Sequence, residues 1–271
     1  MGDRGLRSVV LLCVIGLASG LLKGLLGIGG GVVVVPALFL LAGLKQKQAQ
    51  AASLWYVVPT SFAAGFFYLR TEHIQIDLLY VAAMVAAALV GAWLGVRLVK
   101  RIRQQQLTVL FALALCAIAV IWAALPNHLL STEGRPLMRY LVLTGTGLIA
   151  GLVSGLLGIG SGVLVIPLLV SLGGFKQEVA QGMSLLYTAP IALLCAVLYR
   201  VHVKIMIDAV QVTVMIVAGM LGAFAGCALL SHTPAGALHL LFTLALALVG
   251  LLLLIRARNK PDRTDAPDWA I

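Results

Sequence analysis

The sequence predicts an all-α polytopic membrane protein made of two inverted-topology repeats, each of five hydrophobic segments. Three observations carry that prediction. Of the 271 residues 62% are hydrophobic and 10% charged, whereas a soluble domain carries roughly 25% charged residues. Apolar runs of membrane-spanning length recur along the chain. One glycine-rich motif also occurs twice: Gly24-Leu25-Leu26-Gly27-Ile28-Gly29-Gly30-Gly31-Val32, ending at Pro36, returns as Gly155-Leu156-Leu157-Gly158-Ile159-Gly160-Ser161-Gly162-Val163, ending at Pro167. The offset of 131 residues, the step from Gly24 to Gly155, holds without a gap from Gly20/Gly151 through Pro59/Pro190 to Asp77/Asp208 and Gly95/Gly226. About 23 of the first roughly 40 aligned positions are identical, more than apolar composition alone would give. The expected division is residues 1–126 for the first repeat, 127–137 for an outer linker, 138–257 for the second repeat and 258–271 for a polar cytoplasmic tail.

The hydrophobic segments fall at 6–27, 32–44, 48–69, 77–99 and 105–125, and again at 138–158, 163–174, 179–200, 206–230 and 235–256. Arg4 and Arg7 ahead of Val9 to Ala18 mimic a secretory signal. The same segment returns as Tyr140 to Val153, where no signal could act, so the first copy is expected to be a retained helix. The second segment is short: Val32 to Leu44 spans about 20 Å as a helix, against about 30 Å of hydrocarbon. Either the first two segments form a re-entrant hairpin with a glycine tip near the midplane, or five tilted segments cross. The hairpin is preferred, because irregular backbone at membrane depth is tolerated only inside protein or beside a wet cavity.

The third segment repeats Gln50, Ser53, Tyr56 and Pro59 as Gln181, Ser184, Tyr187 and Pro190. Spacing by three places the Gln, Ser and Tyr side chains on one helix face. Each proline also frees the carbonyl four residues earlier, Trp55 or Leu186. These polar groups either line a pathway or join helices by hydrogen bonds, with Gln50 and Gln181 nearer the surface and so weaker candidates for lining. Asp77 and Asp208 open the fourth segments, where helix N-capping explains them and a gating or coupling role stays open. His73, beside Asp77, is a weak candidate for proton coupling.

An odd number of side changes per repeat inverts the second copy, and the charges agree. With the N-terminus inside, the cytoplasmic side receives Arg4, Arg7, Lys45, Lys47, Arg97, Lys100, Arg101, Arg103, Arg200, Lys204, Arg256, Arg258, Lys260 and Arg263. The outer side receives Arg70, Arg135, Arg139 and Lys176. Roughly 14 cations against about 4 fits the positive-inside rule with both termini cytoplasmic. The net charge of +10 is therefore an orientation signal, and nucleic acid is not an expected partner.

The glycine tip offers chemistry. Glycines at 27, 29, 30 and 31, and at 158, 160 and 162 with Ser161, can take positive φ and leave successive amides unpaired, forming a nest for an anion. The short helix beginning near Val32 or Val163 points its N-terminus at the same spot. Two inverted tips would meet at a midplane site, with hydroxyls of Ser53, Ser184, Tyr56 and Tyr187 completing the coordination of an oxyanion. Pro36, Pro167, Pro59 and Pro190 shape the surrounding helices. Lys23 is the one clearly intramembrane charge; its counterpart is Ser154. An ionisable group at that depth is a functional candidate, the alternative being a side chain that snorkels to the interface.

These doubled motifs resemble the sulfite exporter TauE/SafE family of bacterial permeases, over residues 8 to 256. The resemblance implies transport of a small sulfur-containing anion, sulfite or an organosulfonate such as sulfoacetate, across the bacterial cytoplasmic membrane. Gly30 against Ser161 and Lys23 against Ser154 break the symmetry of the two copies. The expected partners are the anionic substrate, the lipid bilayer, a coupling ion (proton or sodium) and a second copy in a homodimer. An anion channel and a permease for a non-sulfur carboxylate stay open as alternatives.

Enzymatic chemistry is not expected. His73, His128, His202, His232 and His239 are scattered, and Cys13, Cys116, Cys195 and Cys227 lie in apolar runs without CxxC spacing, so neither a catalytic cluster nor a metal site is predicted. The absence of a Walker motif removes ATP as a direct energy source through this chain, and no cofactor is predicted.

Overall fold

The computed structural model describes residues 3–27, 29–70, 76–124, 136–160, 162–203 and 209–230, with residues 240, 243–244, 247–253 and 255 of a further helical stretch. Ser161, Asp208, His73, His128, His232, His239, Arg135, Lys204, Arg256 and the 258–271 tail lie outside the described residues, as does most of the linker.

The helices are α1 (Asp3–Leu26), α2 (Gly31–Leu40), α3 (Gln46–Arg70), α4 (Leu78–Val99), α5 (Gln104–Ala124), α6 (Pro136–Leu157), α7 (Gly162–Ser171), α8 (Gln177–Leu198) and α9 (Ala209–Leu230), with a π-helical turn, Tyr199–Val203, continuing α8. Among the described residues, α1, α3, α4, α6, α8 with its π turn and α9 are long and apolar enough to cross a membrane. The chain is an all-helical, multi-pass membrane protein.

The short second segments are helices of ten residues, α2 and α7, each about 15 Å long and so about half the hydrocarbon thickness. They begin at Gly31 and Gly162, one residue before the valines that the sequence suggested. By contrast α1 and α6 have 24 and 22 residues, about 33–36 Å as helices. Each is long enough to cross by itself, so length alone does not distinguish a hairpin arm from a full crossing.

Both long helices stop at a glycine in the left-handed region. Gly27 has φ +67° and Gly158 φ +65°, and their amides close the last turn on Lys23 O and Ser154 O at 2.8 Å. This is a glycine C-cap, reserved for a residue without Cβ penalty. At the far ends of α2 and α7 the same device recurs. Gly43 (φ +71°) and Gly174 (φ +69°) turn the chain, with Leu44 N donating to Leu38 O and Phe175 N to Leu169 O at 3.2 Å.

Glycine spacing also decides which helices touch. In α1, a Cβ on Gly16, Gly20 or Gly24 would run into backbone at Met215, Gly219 or Ala223 of α9; Gly222 and Gly226 of α9 meet Leu17 and Leu21 in return. Both sets of numbers rise together, so α1 and α9 are parallel. Gly147, Gly151 and Gly155 of α6 meet Met84, Ala88 and Ala92 of α4 in the same rising order, so α4 and α6 are parallel too. Close backbone approach through small residues is the usual way for helices to associate in lipid, where apolar burial gives no net drive. Each repeat's first helix thus packs on the other repeat's fourth, and α3 and α8 run between these pairs in contact with each other. Gly24 and Gly155, which open the repeated motif, are packing glycines and not part of the tip.

Candidate functional site

The two glycine-rich tips touch. A Cβ on Gly29 would lie 3.0 Å from the carbonyl oxygens of Gly160 and Ile159, and one on Gly162 2.8 Å from Gly29 N and 2.6 Å from Ser184 Oγ. Gly31 abuts the Ile159 backbone more closely still. Beside this contact a Cβ on Gly160 would meet Thr188 at 3.1 Å and Val57 at 3.2 Å. Val57 and Thr188 sit half-way along α3 and α8, so the tips meet at mid-height of the two central helices.

The tips differ in backbone. Gly160 has φ +69°, whereas Gly29, its counterpart, is not among the glycines with positive φ, and Gly30 is right-handed at φ −50°. The sequence permits positive φ at each of these glycines, and the two tips use that freedom differently. Among the described residues of the first tip only Gly27 takes a left-handed conformation; Gly30 serves as the N-cap of α2, with Val33 N and Val34 N bonded to its carbonyl at 3.2 and 3.0 Å. Gly29 is required for close approach instead.

Beneath each tip lies a glutamine from the other repeat. A Cβ on Gly27 would be 2.6 Å from the Gln181 side chain, and one on Gly158 2.6 Å from that of Gln50. Tyr68 OH reaches Gly24 O at 3.2 Å and Gln181 Oε1 at 3.3 Å. Tyr199 OH reaches Gln50 Oε1 at 3.2 Å and Leu156 O at 3.4 Å. Gln50 and Gln181, near the starts of α3 and α8, thus each touch the tip of the opposite repeat. Their Nε2 atoms have no partner, and neither do the hydroxyls of Ser53 and Thr188. Ser184 Oγ by contrast donates to Gly27 O at 3.2 Å. All these side chains are fully buried.

Tyr56 and Tyr187 join helices. Tyr56 OH donates to Gly16 O at 3.1 Å and accepts from Ser19 Oγ at 2.8 Å; Tyr187 OH donates to Gly147 O at 3.1 Å. Tyr56→Phe should lower unfolding stability by about 0.6–2 kcal/mol, the worth of an interhelical hydrogen bond, as read from thermal midpoints in detergent. An unchanged midpoint with altered substrate affinity would assign the hydroxyl to the pathway.

Lys23 does not snorkel. It is fully buried, with Nζ donating to Val57 O at 3.1 Å and to Thr60 Oγ1 at 2.7 Å, and its stem passes Gly30, whose Cβ would be 3.7 Å from Lys23 Cδ. Ser154 at the matching position is buried too. Pro36, Pro59, Pro167 and Pro190 all lie inside helices. Asp77 caps α4, accepting from Leu79 N at 2.8 Å, and stands far from the tips in sequence and on an exposed helix start.

Sequence reasoning passed over Tyr68, Tyr199, Ser19, Thr60 and Thr188. Only the first pair carried a signal, being identical tyrosines at the 131-residue offset. Among the described residues no group of His, Cys, Asp and Glu is arranged to hold a metal ion.

Comparison with known proteins bears on this arrangement. The model of the sulfite exporter TauE/SafE family matches residues 2–121 and 143–271. The chain belongs to the TauE/SafE family. It is accordingly a membrane transporter by family. The chain is similar to the probable membrane transporter protein YunE of Bacillus subtilis, 24% identical over 209 residues, covering 66% of this chain and 73% of the relative. A probable membrane transporter protein of Haemophilus influenzae is 28% identical over 178 residues, 63% and 64% of the two chains. YdhB of Bacillus subtilis, also a probable membrane transporter protein, is 27% identical over 238 residues, 87% and 96% of the two.

Proposed function

We propose that this TauE/SafE family member is a secondary carrier of small anions, with sulfite or an organosulfonate as cargo, bound where the two glycine tips meet and exposed to each side in turn. The observation that carries this reading is chemical. Against the touching tips stand buried hydrogen-bond donors without partners, on Gln50, Gln181 and Thr188, with Ser53, likewise unpartnered, one turn from Gln50 on α3, together with the Lys23 ammonium or amine, and no described carboxylate. Buried polar groups are nearly always paired; a set of unpaired donors fits a ligand that only accepts, which is an oxyanion. Closed tips favour a carrier over a channel, because a channel needs a continuous path in its conducting state.

The charge-based orientation fits the packing. With the N-terminus in the cytoplasm, α1 and α9 both run outward and α4 and α6 both run inward, as their parallel pairing requires. The tips then reach the midplane of the bacterial cytoplasmic membrane from opposite faces, as re-entrant hairpins do in transporters of inverted-repeat design. Single-cysteine variants in a Cys-free background test this: position 101 is expected to react only with a reagent inside the cell and position 176 with an impermeant reagent outside. Outside labelling at 101 would overturn the orientation.

Cargo is tested by uptake into proteoliposomes with labelled sulfite, thiosulfate, sulfoacetate, taurine and acetate. Saturable uptake of sulfite or sulfoacetate with acetate excluded is expected; uptake of acetate alone would make the protein a carboxylate permease.

A further inference from the structure

Lys23 is the one fully buried cationic side chain among the described residues. Its nitrogen has two partners, and both accept. A carbonyl such as Val57 O can do nothing else, and Thr60 Oγ1 directs its own proton to Tyr56 O at 2.8 Å, so it receives one from Nζ. Two N–H donors are what a neutral amine possesses; an ammonium has three. A third has no acceptor among the described residues: the remaining neighbour is the Tyr56 ring, its centroid 5.9 Å away.

Among the described residues no counter-ion replaces that missing partner. The ionisable groups near Lys23 are Tyr56 from α3 and Cys227 from α9, with Tyr68 of α3 bonded to the carbonyl of the neighbouring Gly24. Each is uncharged while it keeps its proton. The tip residues Gly29 to Gly31 bring nothing ionisable, nor does α2. Asp77 and Glu178 are exposed at helix starts. An unpaired buried ammonium is strongly disfavoured over the amine, and an arriving anion reverses that preference.

We propose that Lys23 is the coupling site of the carrier and that the coupled ion is the proton. The inference rests on the anion-carrier reading above and names its coupling. In the empty protein the amine is neutral, with its lone pair on the side away from Val57 O and Thr60. A proton entering from the same side as the anion binds that lone pair, and the new N–H donates to an anion oxygen. On the other side the anion leaves, the proton returns from Nζ to water, and the amine is neutral again. One proton and one negative charge cross together, and each raises the affinity for the other by the same factor. Sodium does not fit this place, since Nζ already occupies the two oxygens that could coordinate it.

The test uses the full chain in proteoliposomes with labelled methanesulfonate, a permanently ionised monoanion, and labelled sulfite, subtracting uptake into protein-free vesicles. The membrane potential is clamped at zero, and the medium is made more acidic than the lumen by about one pH unit, which for one proton per monoanion drives accumulation toward about tenfold. Lys23→Gln, which keeps donors but cannot titrate, is expected to lose that accumulation. Thr60→Val, which leaves Lys23 in place, should move the pH profile of uptake toward acid by about one unit, because charged donors lose more than neutral ones when an acceptor goes; Thr60→Ser should restore it. Uptake that ignores the pH gradient, follows a sodium gradient, or still accumulates in Lys23→Gln overturns the proton assignment and leaves the anion carrier standing. An unshifted profile in an active Thr60→Val does the same. If neither probe enters under any gradient, the anion-carrier reading fails and the coupling falls with it.

Discussion

Gly160→Val is expected to abolish transport while the protein continues to insert into the membrane, and Gly29→Val to do so by a different route. At Gly160 the backbone has φ +69°, where a β-branched residue is a steric outlier, and the added side chain would press on Thr188 and Val57. Strain and overpacking together come to roughly 2–6 kcal/mol, enough to slow a cycle that passes through this contact by at least about 30-fold. At Gly29 the backbone conformation is no obstacle; the two carbonyl oxygens 3.0 Å from its Cβ are. Gly145→Ala is the control: its Cβ would meet nothing within 4 Å, and in a helix interior alanine is favoured by about 1 kcal/mol. Uptake and membrane content are measured side by side. Wild-type uptake by both valine variants would reduce the tips to a packing device.

Lys23→Ala should weaken a dianion more than a monoanion, by roughly 1–3 kcal/mol, while Ser154→Ala has a much smaller effect. In the proposed site the tips would supply amides and helix N-termini, which are partial charges, and Lys23, once protonated with the anion bound, would supply the one full charge near them among the described residues. Its buried amine at the edge of the first tip, against a neutral hydroxyl at the matching place in the second, makes the two halves of the site unequal. Competition of sulfoacetate and methanesulfonate for labelled uptake measures the difference. Equal small losses for both would leave binding to backbone amides and hydroxyls alone.

What the sequence made legible was mostly local. Apolar runs placed the long helices, and the length of the second segment predicted α2 and α7. The doubled motif located the tips, and the position of Asp77 before an apolar run predicted its cap. Partner choice was harder to read. A helix's small-residue face shows that some backbone comes close, not whose, so the pairing of α1 with α9 and of α6 with α4 was hidden, though Gly16, Gly20 and Gly24 recur at helical spacing. The contact of Gln50 and Gln181 with the opposite repeat's tip was hidden for the same reason, since the repeat offset does not say which segments meet. Tyr68 and Tyr199 were readable as an identical pair at the common offset. Thr188 was not, since its counterpart is Val57. Gly29 escaped because a sequence shows where positive φ is affordable but not which glycine takes it.

Initial uptake of labelled sulfite per reconstituted protein, followed over rising sulfite concentration, tests most directly whether touching tips form the binding site of a carrier. Saturation at a turnover below about 10³ per second is expected, lost in Gly160→Val and retained in Gly145→Ala. A flux that rises linearly without saturation, or one that survives unchanged in Gly160→Val, would contradict it.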